Sequence, residues 1–147
     1  MANHLHRQIR EAVATKVTGL TTTGARVYPN RMHPFDATAL PGLRVFVDRD
    51  DVDVDGPAFP HIQQHKLMLV IEALATATAD LDDKLDLISK EVEIALSAGF
   101  LIGSRTLQCA LAGSRHDFDA AATPAGVKRM FFAIEYHTTA SSPDSLL

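Results

Sequence analysis

The chain has 147 residues, 46% apolar and 22% charged, a composition typical of one globular domain that folds without disulfides or a structural metal. Its formal net charge is −4, and the lack of a basic face argues against direct binding to duplex DNA. The single cysteine, Cys109, lies in an apolar run and is expected to be a small core residue in a reducing compartment. No stretch reaches the roughly 18 apolar residues of a membrane span, and the polar start is unlike a signal peptide, so we expect no membrane contact and synthesis in the cytoplasm.

The first predicted element is an amphipathic helix over residues 5–17. Apolar side chains recur there at three- and four-residue spacing, Asn3 is a plausible N-cap, and Gly19 is a natural stop. After a loop of threonines, residues 25–28 begin an extended piece that prolines interrupt. We expect this piece to be an edge strand or an irregular arm.

Two strands and a second helix are predicted next. Residues 43–48 are β-branched and aromatic and follow a Pro-Gly turn, while residues 65–74 form the longest apolar run, which indicates a central strand. The acidic stretch between them, residues 49–60, is interpreted as a long loop. A helix is predicted over residues 80–98, with Asp80 as its N-cap and a glycine after its last turn.

The last third of the chain is predicted to contain two strands, residues 106–112 and 128–137, joined by a second long loop, residues 113–126. The element order is therefore α-β-β-β-α-β-β. Because strands and helices do not alternate, this order favours an α+β fold, with a mixed, mostly antiparallel sheet of four to five strands and two helices packed on one face. We expect one domain over residues 1–137 and a flexible tail over residues 138–147.

The candidate metal sites fail on spacing. The run from Asp51 to Gly56 begins like an EF-hand loop, but its twelfth position, which should hold a bidentate glutamate, is Ile62. The run is therefore interpreted as a solvated acidic hairpin loop. His61 and His65 are four residues apart where a strand is predicted, which separates them by about 13 Å, too far to share one metal ion.

The candidate catalytic patterns are equally incomplete. His116 with Asp117 and Asp119 could serve acid–base chemistry, but these residues lie in a predicted loop without an evident partner. The chain also lacks the nucleophile turn of α/β-hydrolases and a phosphate-binding loop. We therefore predict no catalytic, cofactor-binding or metal-binding residues, no cofactor, and a protein that is not an enzyme, although a site could still assemble from distant residues.

The two long predicted strands, residues 65–74 and 128–137, carry apolar residues on both faces. Two helices are enough to cover one face of the sheet only. The other face is expected either to meet a partner subunit or to be covered by loops of the same chain.

Taken together, these features resemble the tail terminator proteins of long-tailed bacteriophages, the family of the lambda minor tail protein U. The resemblance extends over roughly residues 4–137 and is carried by size and by a series of segments in one order. These segments are a helix from Leu5, a strand over residues 41–47, an acidic run, a strand over residues 65–73, a helix from Leu81 and a closing strand over residues 129–136.

The resemblance implies a structural virion protein, assembled in the host cytoplasm and located at the head-proximal end of the tail. Its copies would form a hexameric ring that stops polymerisation of the tail tube protein and offers a surface to the head-completion, or stopper, protein. DNA would pass through the ring without being read. A neutral to acidic chain suits passage, because a basic channel would hold the phosphates.

The two long predicted loops are the expected contact elements of such a ring. The candidate residues of a subunit or tube interface are Asp50, Asp51, Asp53, Asp55, Arg115, His116, Asp117 and Arg129. Two alternatives remain at this point. One is another self-assembling head–tail connector or neck protein, and the other is a small cytoplasmic enzyme or ligand-binding domain, which a concave pocket with convergent polar groups would favour.

Overall fold

A computed structural model of the chain describes residues 2–30, 40–57, 59–77, 79–119 and 125–147. The predicted α+β class is confirmed, and a short hairpin, formed by β4 and β5, is added to the predicted elements. In chain order the elements are α1 (Leu5–Lys16), β1 (Val27–Tyr28), β2 (Gly42–Asp55), β3 (Ile62–Thr76), α2 (Leu81–Leu96), β4 (Phe100–Ile102), β5 (Arg105–Leu107), β6 (Ala110–Asp119) and β7 (Ala125–Thr139).

The main sheet has the strand order β1-β2-β3-β7-β6. β1 runs parallel to β2, and all other neighbours are antiparallel, so the sheet is mixed as predicted. β3 and β7 pair along their whole length, from Ile62 opposite Thr139 to Thr76 opposite Ala125. The short β1 is the edge strand predicted for residues 25–28.

Both helices pack on one face of this sheet. β3 turns Leu69 and Ile71 toward that face, where they join Ile9 of α1 and Ile88 of α2 in a fully buried core. Alternation along the strand turns Val70 to the opposite face, where it is also buried. On this opposite face Val70 and Glu72 are buried but Lys66 is exposed, so the burial on both sides that the continuous apolar run predicts holds for only part of the strand.

The helix ends differ in detail from the sequence-based expectation. His4, not Asn3, caps α1, because its Nδ1 accepts a hydrogen bond from the backbone N–H of His6 at 3.0 Å. Asp80 is the N-cap of α2, as predicted, but its side chain forms no capping hydrogen bond. Gly99 follows α2 with a positive φ of 79°, and a Cβ there would collide with the carbonyl oxygen of Leu107, so two constraints require glycine.

The predicted loop over residues 49–60 is wrong, because β2 continues to Asp55 and pairs with β3 along this part. A β-bulge between Val47 and Arg49 shifts the alternation of the strand by one residue. After the bulge, even-numbered side chains face the helices and Asp51 points away from them. Aspartate is depleted in strands, so the composition of this segment predicts a loop. The hydrogen bonds that stabilise it as a strand are made to β3, which lies outside the segment.

The boundaries predicted near the end of the chain are also wrong. Residues 106–112 do not form one strand, because Arg105–Leu107 pairs with β4, while the sheet strand begins at Ala110. The predicted loop over residues 113–126 contains most of β6, which pairs with β7 from Ala110 to Asp119. Glycine and charged residues weaken the local strand signal there, and the partner strand β7 supplies the stabilisation.

Residues beyond the predicted domain end at 137 contact the rest of the chain. Thr138 and Thr139 still belong to β7, and Thr138 is fully buried. Farther on, the carbonyl oxygen of Pro143 accepts from the N–H of Leu5 at 3.1 Å, and the N–H of Leu147 donates to His137 at 3.0 Å. These contacts tie the segment to α1 and β7, while its predicted flexibility stays a prediction.

Candidate functional site

The acidic segment of β2, residues 48–55, places its aspartates on two different faces of the sheet. Asp50 faces the helices and is largely buried, with 10% of its side chain exposed. Asp51 and Asp53 point to the opposite face and are exposed, and Asp51 has only an exposed ion pair with Arg49 at 3.3 Å. Asp55 ends the strand, and its side chain lies outside the described part of the chain.

Asp50 is the centre of a polar cluster that joins four elements. Its Oδ2 lies 2.9 Å from Nε2 of His6 on α1 and 2.7 Å from Nδ1 of His65 on β3. The other ring nitrogen of His65 lies 2.8 Å from the hydroxyl of Thr138 on β7. The His65 ring also stacks on Tyr136, with centroids 4.5 Å apart and planes inclined by 6°. Because the members of this cluster are scattered along the chain, no local sequence pattern predicts it.

The hydrogen-bond pattern determines which atoms carry protons. A carboxylate only accepts, so both imidazole nitrogens that face Asp50 carry N–H groups, while the Thr138 hydroxyl beside the other nitrogen of His65 also donates to Oε1 of Gln63 at 3.4 Å. Burial first, and then the charge of Asp50, raises the pKa of the Tyr136 hydroxyl. Burial first, and then the neighbouring His6, lowers the pKa of the His4 imidazole.

Asp50, His65 and Thr138 have the carboxylate–imidazole–hydroxyl connectivity of an acyl-transfer triad. However, Thr138 is 1% exposed and His65 is 9% exposed, so a substrate carbonyl has no access to the hydroxyl. A nucleophile must reach its substrate within contact distance, and this one does not reach the surface. The arrangement therefore favours a structural role, in which the cluster fixes the start of α1 and the acidic segment against the sheet.

The predicted residue Arg129 belongs to an ion-pair ladder on the sheet face away from the helices. Its Nε lies 2.9 Å from Oε2 of Glu72, and Nη2 of Arg44 lies 3.1 Å from the other carboxylate oxygen. Glu72 is nearly inaccessible, with 4% of its side chain exposed, so it depends on these two cations. Arg129 also donates to Asp117 on β6, which extends the ladder across four strands.

The other predicted residues of β6 face opposite sides of the sheet. Arg115 lies on the ladder side with 71% of its side chain exposed, and its ion pair with Asp117 is long, at 3.9 Å. His116 faces α2, where its Nε2 lies 3.7 Å from a carboxylate oxygen of Asp86. Lys128 donates to the same carboxylate at 3.1 Å and lowers the pKa of Asp86.

Exposed apolar side chains lie on the helix-bearing face of β6, the last strand in the order, and of the part of β2 beyond its pairing with β1. Val52 and Val54 of β2 are 44% and 56% exposed, and Leu111 and Phe118 of β6 are 47% and 52% exposed. Pairing to buried neighbours assigns all four to this face, for example Leu111 opposite Phe132 and Val52 opposite His65. Val52, Val54 and Phe118 lie in segments that composition predicts to be loops, whereas Leu111 lies in the strand predicted over residues 106–112.

Within the described residues, the predicted interface residues of β2 and those of β6 are not brought together, and Arg129 lies between them on β7. The aspartates lie on β2, and the residues 115–117 lie on β6, with β3 and β7 between them. Three strand spacings separate the two groups by roughly 14 Å across the sheet. No single site within one chain contains both groups.

Two concave surfaces are lined partly by charged side chains, Asp80, Asp82 and Asp83 at the start of α2 and Arg105, Glu135 and His137 near the end of the chain, whereas two others are more apolar. A groove between α1 and β4 is lined by small and apolar residues with Lys16 as its charged member, and a cavity near the β6–β7 end is lined mainly by apolar residues, including Leu74, Phe118 and Val127. Within the described ranges, no three histidine, cysteine or carboxylate side chains converge as metal ligands, and no helix is long and apolar enough to cross a membrane.

Burial raises the pKa of the Cys109 thiol to about 12, which keeps it protonated.

No family model matches the sequence, and no curated protein matches it. Among solved structures, the chain is similar to a chain of the "Virion of native gene transfer agent (GTA) particle". The two share 18% sequence identity with a TM-score of 0.47, over 90% of this chain and 91% of that chain. A similarity this low identifies neither a family nor a function.

Proposed function

We propose that the chain is a structural protein of a virion that acts by assembling with copies of itself, specifically a tail terminator. The observation that carries this proposal is the exposure of apolar side chains on both outer strands of the sheet, Val52 and Val54 on β2 and Leu111 and Phe118 on β6. Large apolar side chains left exposed on neighbouring positions of a strand, such as Val52 and Val54, are typical of a contact between proteins. The segment pattern over roughly residues 4–137, similar to that of tail terminators, supports the more specific role.

In the proposed function, copies form a ring, expected to be hexameric, on the head-proximal end of the tail tube. The ring stops addition of tube subunits, and its other side binds the head-completion protein. The exposed side chains of Asp51 and Asp53, on the sheet face away from the helices, would keep surfaces near the DNA path from binding phosphates. The buried cluster around Asp50 would hold the acidic segment in one conformation for these contacts.

The direct test uses purified full-length chain and tubes polymerised from the tube protein of the same virion. Light scattering and negative-stain images should show rings in solution or on one end of each tube, and capped tubes should stop growing. Tube growth should be measured with and without the chain at equal tube-protein concentration, with heated chain as the control. Unchanged growth together with rings in solution would favour a different connector or neck protein. A chain that remains monomeric and leaves tubes unchanged would contradict the proposal.

A further inference from the structure

The two outer strands of the sheet leave backbone groups without a partner strand. On the side of β2 away from β3, no described strand pairs with Arg49–Asp55, because β1 reaches only Leu43 and Arg44. On the side of β6 away from β7, no described strand pairs with Ala110–Asp119. An open edge of this length is a template for pairing with another chain, which natural proteins normally prevent.

The apolar side chains at the two edges match in orientation. Val52 and Val54 of β2 and Phe118 of β6 all lie on the helix-bearing face. When one strand is added to the edge of another, side chains on the same face become neighbours. Pairing of these edges would therefore bring the exposed apolar side chains of both together and remove them from water.

The charges on the opposite face are complementary. Asp51 and Asp53 are exposed on β2, and Arg115 is exposed on β6. Arg115 lies opposite Arg129 in the ladder between β6 and β7, and its partner Asp117 is also bound by Arg129. Arg115 therefore lies beside a second cation, and its own carboxylate partner is distant and shared. It is favourably placed to form an ion pair with an aspartate of another chain.

We propose that β6 of one copy pairs with the acidic half of β2, residues 49–55, of the next copy, so that the sheet continues across the subunit boundary. This inference rests on the proposed function in one respect, that copies of the chain assemble. The two edges differ, so the contact is head-to-tail, and repetition closes a ring or extends a filament. The contact explains why the two groups of charged residues lie on opposite edges of one chain, because they meet only between chains.

A charge exchange tests the pairing. Asp51→Lys with Asp53→Lys places lysines against Arg115 of the next copy, and Arg115→Asp places an aspartate against Asp51 and Asp53. Each variant alone should weaken self-association by on the order of tenfold or more, measured by sedimentation at low and high salt. An equimolar mixture of the two variants, and a chain that carries all three substitutions, should both recover association to within about threefold of the unchanged chain.

Lys90→Asp is the matched control, because Lys90 is exposed on α2, outside both edges, and should leave association unchanged. Circular dichroism should confirm that every variant is folded, and recovery in the mixture excludes misfolding as the cause of a loss. Variants that associate like the unchanged chain, or a mixture that fails to recover, would overturn the edge pairing. Tube capping is measured separately. If association depends on the edge residues but the chain does not cap tubes, the tail terminator role alone is refuted. If the chain caps tubes and the charge exchange does not change capping, the edge pairing alone is refuted. An unchanged chain that never self-associates refutes both.

Discussion

Oδ2 of Asp50 lies 2.7 Å from Nδ1 of His65 on the neighbouring strand. His6 of α1 contacts the same carboxylate oxygen. The contact depends on the bulge after Val47, which turns Asp50 toward the helices while Asp51 points away. Two consecutive residues of this strand therefore differ in environment: the carboxylate of Asp50 is buried, and that of Asp51 is exposed. Four predictions follow from this contact and from three other features of the fold.

Asp50→Ala should lower the free energy of unfolding by about 1.5–3 kcal/mol, because it leaves two imidazole N–H groups without their charged acceptor. Urea unfolding followed by circular dichroism measures this change. Asp53→Ala is the control, since its side chain is exposed on the opposite face, and it should change stability by less than about 0.5 kcal/mol. Equal effects of the two substitutions would show that the cluster does not stabilise the fold.

Glu72→Gln should destabilise the chain by about 1–3 kcal/mol, a range reduced for the partial exposure of Arg44 and Arg129. The loss should persist at high salt, because the carboxylate is almost fully buried and screening acts mainly on exposed charges. Asp117→Asn, at the exposed end of the same ladder, should cost less than about 1 kcal/mol. At a salt concentration of about 1 M the screening length is about 3 Å. A loss of stability for Glu72→Gln that disappears at this concentration would contradict this account.

Gly99→Ala should be much less stable than Gly103→Ala. Both glycines have positive φ, 79° and 60°, so both substitutions carry the backbone cost of about 1–2 kcal/mol. Only at Gly99 would the new Cβ collide with a carbonyl oxygen, that of Leu107, whereas the space beside Gly103 is open. Thermal unfolding of the two variants isolates the collision, and equal melting temperatures would exclude it.

The thiol of Cys109 should react slowly with iodoacetamide in the folded chain. Burial raises its pKa to about 12, so very little thiolate is present near neutral pH, and the thiolate is the reacting form. At pH 8 the rate should be lower than in denaturant by on the order of a thousandfold, the ratio of the thiolate fractions for pKa values of about 8.5 and about 12. It should rise steeply with pH as the folded thiol ionises, and a folded-state rate equal to the denatured rate would contradict the predicted burial.

Sequence pattern was sufficient where local signals decide the structure. Apolar spacing in α1 and α2 sets their buried faces, and the long apolar runs of β3 and β7 indicate central strands, each with one largely buried face. These signals come from residues that are close together in the sequence. They were enough to predict the α+β class, both helices and the central strands.

Tertiary structure decided the two edge segments and the buried cluster. The acidic segment and most of β6 have the composition of loops, and they become strands because the next strands of the chain, β3 and β7, supply their hydrogen-bonded partners. His6 and Asp50 are 44 positions apart, and His65 and Thr138 are 73 apart, so no spacing rule brings them together. The sequence by itself determined which segments form the core, whereas the bulge and the strand order, which are non-local packing outcomes, decided which charges are buried and which edges stay open.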